Sequence, residues 1–269
     1  MTALTLTLKT TLKFDLNCAP LNPNHLNNLS VKEIAAIALQ YGKEKLPAAD
    51  FFEITGCDTQ NIVFEKSTAQ MQYLGASMTQ GKLTIIGDAG DYCGYKLKNG
   101  EITCQGNAGD FAACEMASGS LTIHGNAGDF LGSTTAGHKK GMRGGTVIVK
   151  GNAGNRVGDQ MRRGLILIEG NAGDYTASRM IAGTVGVLGK LGEYAGFNMK
   201  RGTLLVANLP KLHATMQDCG THTLPFLSLM FKSFKNLNTQ FSLVETKRVQ
   251  RYVGDAALKG NGEILHLLA

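Results

Sequence analysis

Few side chains in this chain stand at spacings that could carry chemistry. His213, Cys219 and His222 form H-x5-C-x2-H, three potential soft-metal ligands. A structural zinc takes four such ligands. No fourth Cys or His stands at a suitable spacing, so no metal is expected there. Asp91, Asp110, Asp129 and Asp174 each close a D/N-A-G-D motif, with Asn155 and Glu193 in the matching places of two further copies. Glycine- and aspartate-rich nonapeptides bind calcium in some solenoids, but one carboxylate every 19 residues is too sparse, and turn chemistry is the expected role. Leu97, Met116, Met142, Met161, Met180 and Met199 recur at one repeat position. A methionine column could be a redox or soft-metal feature; core filling is the expectation. The G-x-x-G turns lack the Lys-Ser/Thr pair and following helix of a phosphate loop. No Ser-His-Asp or Cys-His set can be assembled. The expectation is therefore no catalytic residue, no metal and no cofactor bound by this chain.

One charge pattern stands above this background. Lys139 and Lys140 lie in a Gly-rich insertion, Gly132 to Gly144. Arg143, Arg162 and Arg163, and then Lys200 and Arg201, follow at corresponding places in successive repeats, with a gap at Ile181-Ala182. Together the seven would form a cationic edge. Such an edge is either a solvated face or a site for an acidic partner subunit or a polycarboxylate cofactor.

The elements that would position these residues are copies of one unit. Gly81, Gly100, Gly119, Gly145, Gly164, Gly183 and Gly202 open seven copies, spaced by 19 residues except for a 26-residue step from Gly119 to Gly145. A fixed short period means stacked rungs. The third residue of each unit is Leu83, Ile102, Leu121, Val147, Ile166, Val185 or Leu204, and the fifth is Ile85, Cys104, Ile123, Val149, Ile168, Val187 or Val206. Residues two apart in a strand share a face, so both point inward. The residues between them, such as Thr84, Thr103 and Thr122, suit an outer face. The twelfth is aromatic, Tyr92, Phe111, Phe130, Tyr175 or Tyr194, except for Arg156. Glycines such as Gly106 and Gly109 are expected to supply positive φ at corners, and the neighbouring Asn to bond its own backbone. The fold class predicted is all-β: a right-handed parallel β-helix of about seven to eight rungs with an α/β N-terminal cap and a helical C-terminal tail.

Three segments follow. Residues 1–56 read as the cap, with a first strand at Leu4 to Leu8 and a helix from Val31 whose stripe is Ile34, Ile37 and Ala38. Ser30 and Glu33 have the spacing of a capping box, and Gly42 is a stop. Residues 57–208 are the array, beginning with a degenerate rung at 57–80. Residues 209–269 are the tail, in which Leu227, Met230, Phe231 and Phe234 mark an amphipathic helix packed on the end or side of the array, and Glu263 to Leu267 a last strand. An open stack needs such caps at its edges. With 269 residues, 43% of them hydrophobic, the chain can bury a substantial core. Its net charge of +6 is modest and does not call for nucleic acid. No apolar run is long enough for a membrane span, and the N-terminus lacks a signal peptide's pattern. Six cysteines without a CxxC pair indicate reduced thiols in a cytoplasm.

The repeat G-x-[IL]-x-[IV]-x-G-N-A-G-D-x-x-G-x-x-M resembles the C subunits of formylmethanofuran dehydrogenase and of the bacterial formyltransferase/hydrolase complex, and the C-terminal domain of the glutamate synthase large subunit is similar. The resemblance extends through Phe51-Phe52-Glu53-Ile54-Thr55-Gly56, Gly141-Met142-Arg143-Gly144-Gly145, Lys200 to Leu204, Tyr252 to Asp255 and Lys259 to Leu265. It implies a scaffold subunit of a cytoplasmic complex, with the chemistry in an amidohydrolase-like A, a pterin-oxidoreductase-like B and a formyltransferase-like D subunit. It also implies a methanofuran-type coenzyme and tetrahydromethanopterin for the complex, with formyl transfer between them and release of formate in one-carbon oxidation. The alternatives are the archaeal dehydrogenase, which reduces carbon dioxide to a formyl group, and a glutamate-synthase-like coupling domain.

Overall fold

A computed structural model describes residues 2–268. Alternating apolar residues make Ala3–Leu8 a strand with Leu4, Leu6 and Leu8 buried. It lies parallel to Asp58–Ser67. From there each unit adds one parallel strand to the same sheet: Lys82–Gly87, Glu101–Cys104, Ser120–Ile123, Arg143–Val149, Arg163–Ile168, Thr184–Val187, Thr203–Val206 and finally Gly262–Leu267. Register follows the repeat, so Leu83, Ile102, Leu121, Val147, Ile166, Val185 and Leu204 are direct neighbours in turn. All seven are fully buried. A second, one-residue ladder runs Ala89, Ala108, Ala127, Ala153, Ala172, Leu191. The fold is all-β, dominated by a 13-stranded sheet with few helices. At both ends polarity reverses. Phe52–Thr55 pairs antiparallel with the first strand, and Arg248–Gly254 and Gln217–Thr223 close the other edge antiparallel. No helix among the described residues is long and apolar enough to cross a membrane.

The glycine that opens each unit has two reasons to be glycine. At Gly202 φ is +100, and an added Cβ would stand 2.4 Å from Met180 Cε. The methionine of one rung thus fills the space that a side chain on the next opening would need. Met116, Met142, Met161, Met180 and Met199 are fully buried, as core filling predicts.

Several sequence expectations change. Gly106 and Gly109 do not adopt positive φ. A Cβ on Gly106 would stand 2.4 Å from Asp88 Oδ1 and 2.6 Å from Gly87 O, so close packing between rungs excludes it. The left-handed region is occupied instead by the column Tyr92, Phe111, Phe130, Arg156, Tyr175 and Tyr194, at φ of 58 to 62. The Asn side chains bond the next rung rather than their own backbone: Asn107 Oδ1 accepts from Asn126 N at 2.9 Å. The N-terminal helix spans only Val31–Ala35; its capping box is present, but Ala38 already begins the strand Ala38–Tyr41. That strand pairs with Glu44–Pro47 across Gly42, at φ +54, because a five-residue helix has little stability of its own against a hairpin that buries Leu39.

The helix Phe226–Phe234 lies on the side of the array. Leu227, Phe231 and Phe234 pack with Phe241 onto Leu167, Leu205 and Leu265, which point outward from the sheet and form a second core.

Candidate functional site: a basic cleft under the insertion

The insertion leaves the stack after Ser133 and returns at Gly141, whose N–H bonds Gln160 O at 3.1 Å. What holds it is Glu115, a buried carboxylate one rung earlier. Glu115 Oε1 accepts Thr135 Oγ1–H at 2.6 Å and lies 2.6 Å from His138 Nδ1. Lys96 Nζ lies 3.7 Å from Oε2. Burial pushes the Glu115 carboxyl up, but the bonds from Thr135 and His138 and the charge of Lys96 more than offset this and leave it below its ordinary value. Lys96 and Glu115 occupy the same place in successive units, both with left-handed backbones.

Between the loop and the stack opens a cleft of about 480 Å³, lined by Lys96, Glu115, His138, Lys139, Lys140 and Arg143. Among the described residues, Lys139, Lys140 and Arg143 have no carboxylate partner. Arg162 Nη2 donates to Lys139 O at 3.3 Å, while its buried Nε finds no partner among the described residues. Arg163 sits beside Arg143 in the strand ladder. Five of the seven predicted basic residues therefore gather at the insertion. Lys200 and Arg201 do not: Ile181 bonds Met161 O and Lys200 bonds Met180 O, which puts Lys200 two rungs, about 10 Å, beyond Arg162. Lys96, Glu115 and His138 join the site only in the folded chain. Opposite charges one repeat apart at Lys96 and Glu115 are the signal for them that the sequence holds.

The remaining candidates resolve locally. Asp91, Asp110, Asp129, Asn155 and Asp174 each accept the backbone N–H one unit later, at 2.7 to 2.9 Å. Tyr73, Tyr92, Phe111 and Phe130 stack in sequence at 4.7 to 5.0 Å. Arg156 continues the column, its guanidinium 6.0 Å from the Phe130 ring and 4.7 Å from that of Tyr175. Beside it Asp159 is buried and takes Ser178 Oγ at 3.0 Å and Arg179 Nε at 2.8 Å. The bond to Asp159 raises the Arg179 pKa. His213 pairs with Thr215, and His222 Nε2 lies 2.9 Å from Cys219 O. Among the described residues no group of three His, Cys, Asp or Glu is arranged to hold a metal. Burial pushes the Cys104 thiol up to about 11 and that of Cys114 up to about 12, so neither is a ready nucleophile.

Known proteins resemble this chain in sequence and in overall fold. The GXGXG motif family matches residues 37–224. The C subunit of the molybdenum-containing formylmethanofuran dehydrogenase 1 of Methanothermobacter marburgensis is 35% identical over 84 residues, 30% of this chain and 21% of that protein. The match thus spans about a fifth of that relative's length. A chain in the crystal structure of the formyltransferase/hydrolase complex FhcABCD from Methylorubrum extorquens, determined with methylofuran, superposes with a TM-score of 0.93 at 36% identity, over 98% of this chain and 100% of that one. The chain belongs to the GXGXG motif family, within its group of formylmethanofuran dehydrogenase and formyltransferase/hydrolase C subunits.

Proposed function

We propose that this chain is a non-catalytic scaffold subunit of a formyltransferase/hydrolase complex, built as a right-handed parallel β-helix of about seven to eight rungs. The handedness follows the general preference of parallel crossovers. The observation that carries the proposal is the full-length likeness to a chain of FhcABCD at 36% identity. The buried column of methionines and aliphatics and the interrung ladders support a role in holding rather than reacting. The partners are an amidohydrolase-like A, a pterin-oxidoreductase-like B and a formyltransferase-like D subunit in a cytoplasmic assembly without nucleic acid or membrane. The assembly moves a formyl group between tetrahydromethanopterin and a methanofuran-type coenzyme and releases formate. The basic residues Lys139, Lys140, Arg143, Arg162, Arg163, Lys200 and Arg201 face an acidic subunit surface or the anionic coenzyme.

Co-expression with the A, B and D subunits tests this. The chain should co-elute with them and the complex should release formate, whereas the chain alone should show no turnover. Turnover by the isolated chain, or failure to co-elute, would overturn the scaffold reading. A second reading, the C subunit of a formylmethanofuran dehydrogenase, is favoured by the curated archaeal relative. Molybdenum or tungsten in the co-eluting B subunit, found by elemental analysis, decides for it.

A further inference from the structure

We propose that the groove between the tail helix Phe226–Phe234 and residues 242–247 docks an acidic segment of a partner subunit that carries at least one large apolar side chain. On the scaffold reading, on which this inference rests, the groove is one surface by which the subunits are held together.

The helix uses Leu227, Phe231 and Phe234 for the tail's own core. Ser228, Phe231, Lys232 and Lys235, spaced i, i+3, i+4 and i+7, make one flank of a groove of about 640 Å³. The other flank comes from Ser242, Leu243, Val244, Glu245 and Lys247. Phe231 is 4% exposed and forms the floor, whereas Leu243 is 79% exposed. Leu243 is held out by a fixed turn, Gln240–Leu243. Phe241 in that turn is fully buried, Ser242 Oγ donates to Thr239 O at 2.6 Å, and Gln240 N donates to Glu169 Oε1 at 2.9 Å. An apolar side chain already held in place loses little further freedom when a partner covers it. Leu229, 70% exposed and one turn from Lys232 on the helix, extends the apolar surface beyond the groove.

Charge selects the occupant. Lys232, Lys235 and Lys247 line the groove against one carboxylate, Glu245, and all four are exposed. Among the described residues none of the four is in an ion pair. A second copy of this chain, docked symmetrically, would set the lysines against their own counterparts, and like charges in contact oppose association. A flat bilayer would rest on Leu243 and Leu229 and leave the recessed Phe231 uncovered. A small molecule would find no buried polar side chain to orient it, since every polar lining residue reaches solvent. An acidic segment with a large apolar side chain matches both parts of the surface. That side chain would sit against Phe231, Leu243 and Val244 and supply most of the holding energy. Its carboxylates would meet the lysines at the rim and set which partner is accepted.

The test uses the full chain co-expressed with the A, B and D subunits and purified through a tag on the chain. The amount of each subunit is read in the eluate at low and moderate salt. Salt should weaken retention of one subunit without abolishing it, because the apolar contact survives screening. Leu243→Asp should lower the retained amount of that subunit about tenfold. Lys232→Glu with Lys235→Glu should lower it several-fold at low salt. The changed side chains are exposed, so circular dichroism and melting should not move. Lys43→Glu with Lys45→Glu, on the N-terminal hairpin, should leave retention unchanged; equal loss there would trace the effect to net charge and refute the groove. Loss in Leu243→Asp without loss in the tail lysine variant would refute an acidic occupant. Full retention of every subunit in both tail variants would overturn the proposal and leave the scaffold reading standing, whereas a native chain that retains no subunit would overturn both. With the subunits retained, a concentration-dependent dimer lost in Leu243→Asp would give the groove to a second copy instead. Sedimentation with phosphatidylserine vesicles, lost in the same variant, would give it to a lipid surface and likewise overturn the proposal.

Discussion

The outward face of the sheet differs between its two halves while the inward face does not. In the first half the outward residues are Thr84, Thr103 and Thr122, half-buried and wet. In the second half the same place holds Ile148, Leu167, Gly186 and Leu205, all buried. Leu167 and Leu205 pack under Leu227, Phe231, Phe234 and Phe241. Gly186 fits the same scheme, because an added Cβ would stand 2.8 Å from the Phe241 ring. One repeat can therefore carry either a solvated sheet or a second hydrophobic core. The choice rests on a single position per unit, since alternate strand residues face opposite ways.

The two halves separate most clearly at Phe241. Phe241→Ala should cost about 3–5 kcal/mol of stability in the second core. Hydrogen exchange should then speed up across Phe226–Phe234 and leave the amides of Glu101–Cys104 protected. Loss of protection in both halves would show that the two cores are one unit. Next, Leu167→Thr should cost about 2 kcal/mol, whereas the reciprocal Thr103→Leu should change stability by less than ~0.5 kcal/mol, both read from urea midpoints. Equal effects would abolish the distinction. Gly186→Ala should cost about 1–3 kcal/mol through overpacking against Phe241 and Leu167, measured the same way. At the boundary of the halves, Arg156→Ala should lose about 0.5–1 kcal/mol, since the guanidinium bridges two aromatic columns that otherwise do not meet.

The smallest effect is confined to the insertion. The folded-state pKa of Glu115 lies below its ordinary 4.5. Its contribution is therefore fully present above that value and is lost as pH falls through the lower, folded one. Amides of residues 133–141 should lose protection on acidification into that range in the native protein, and should show no such pH step in Glu115→Gln.

Much of this is legible in the letters. The inward columns follow from strand alternation, and the register from the period, because identical units stack in phase. The tail helix can be read from Leu227, Phe231 and Phe234, but its bed cannot. Thr84 and Thr103 suggest a polar outward position throughout, and the change to Leu167 and Leu205 is lost when the units are averaged into one pattern. Conformational freedom is the local reason for a glycine, yet Gly106 is set by proximity to Asp88 and Gly87, a contact across rungs that no local rule contains. The cleft is only half visible in sequence. Charge marks Lys139, Lys140 and Arg143, but their anchor at Glu115 depends on how a seven-residue insertion folds back.

The reversed strands at the two ends have a consequence for self-association. Every internal rung presents amides that the next rung accepts in phase, which is the pattern by which identical chains could join into filaments. Here Phe52–Thr55, outermost at one end, runs against that polarity; at the other end Arg248–Gly254 runs against it, and Gln217–Thr223 outside it turns back to the stack direction but is polar and irregular around Gly220. A second molecule approaching end-on meets a reversed strand at one end and, at the other, a polar strand lacking the apolar side chains needed to continue the stack. The ladder is thus terminated within one polypeptide, and the length of the particle is fixed by sequence rather than by concentration.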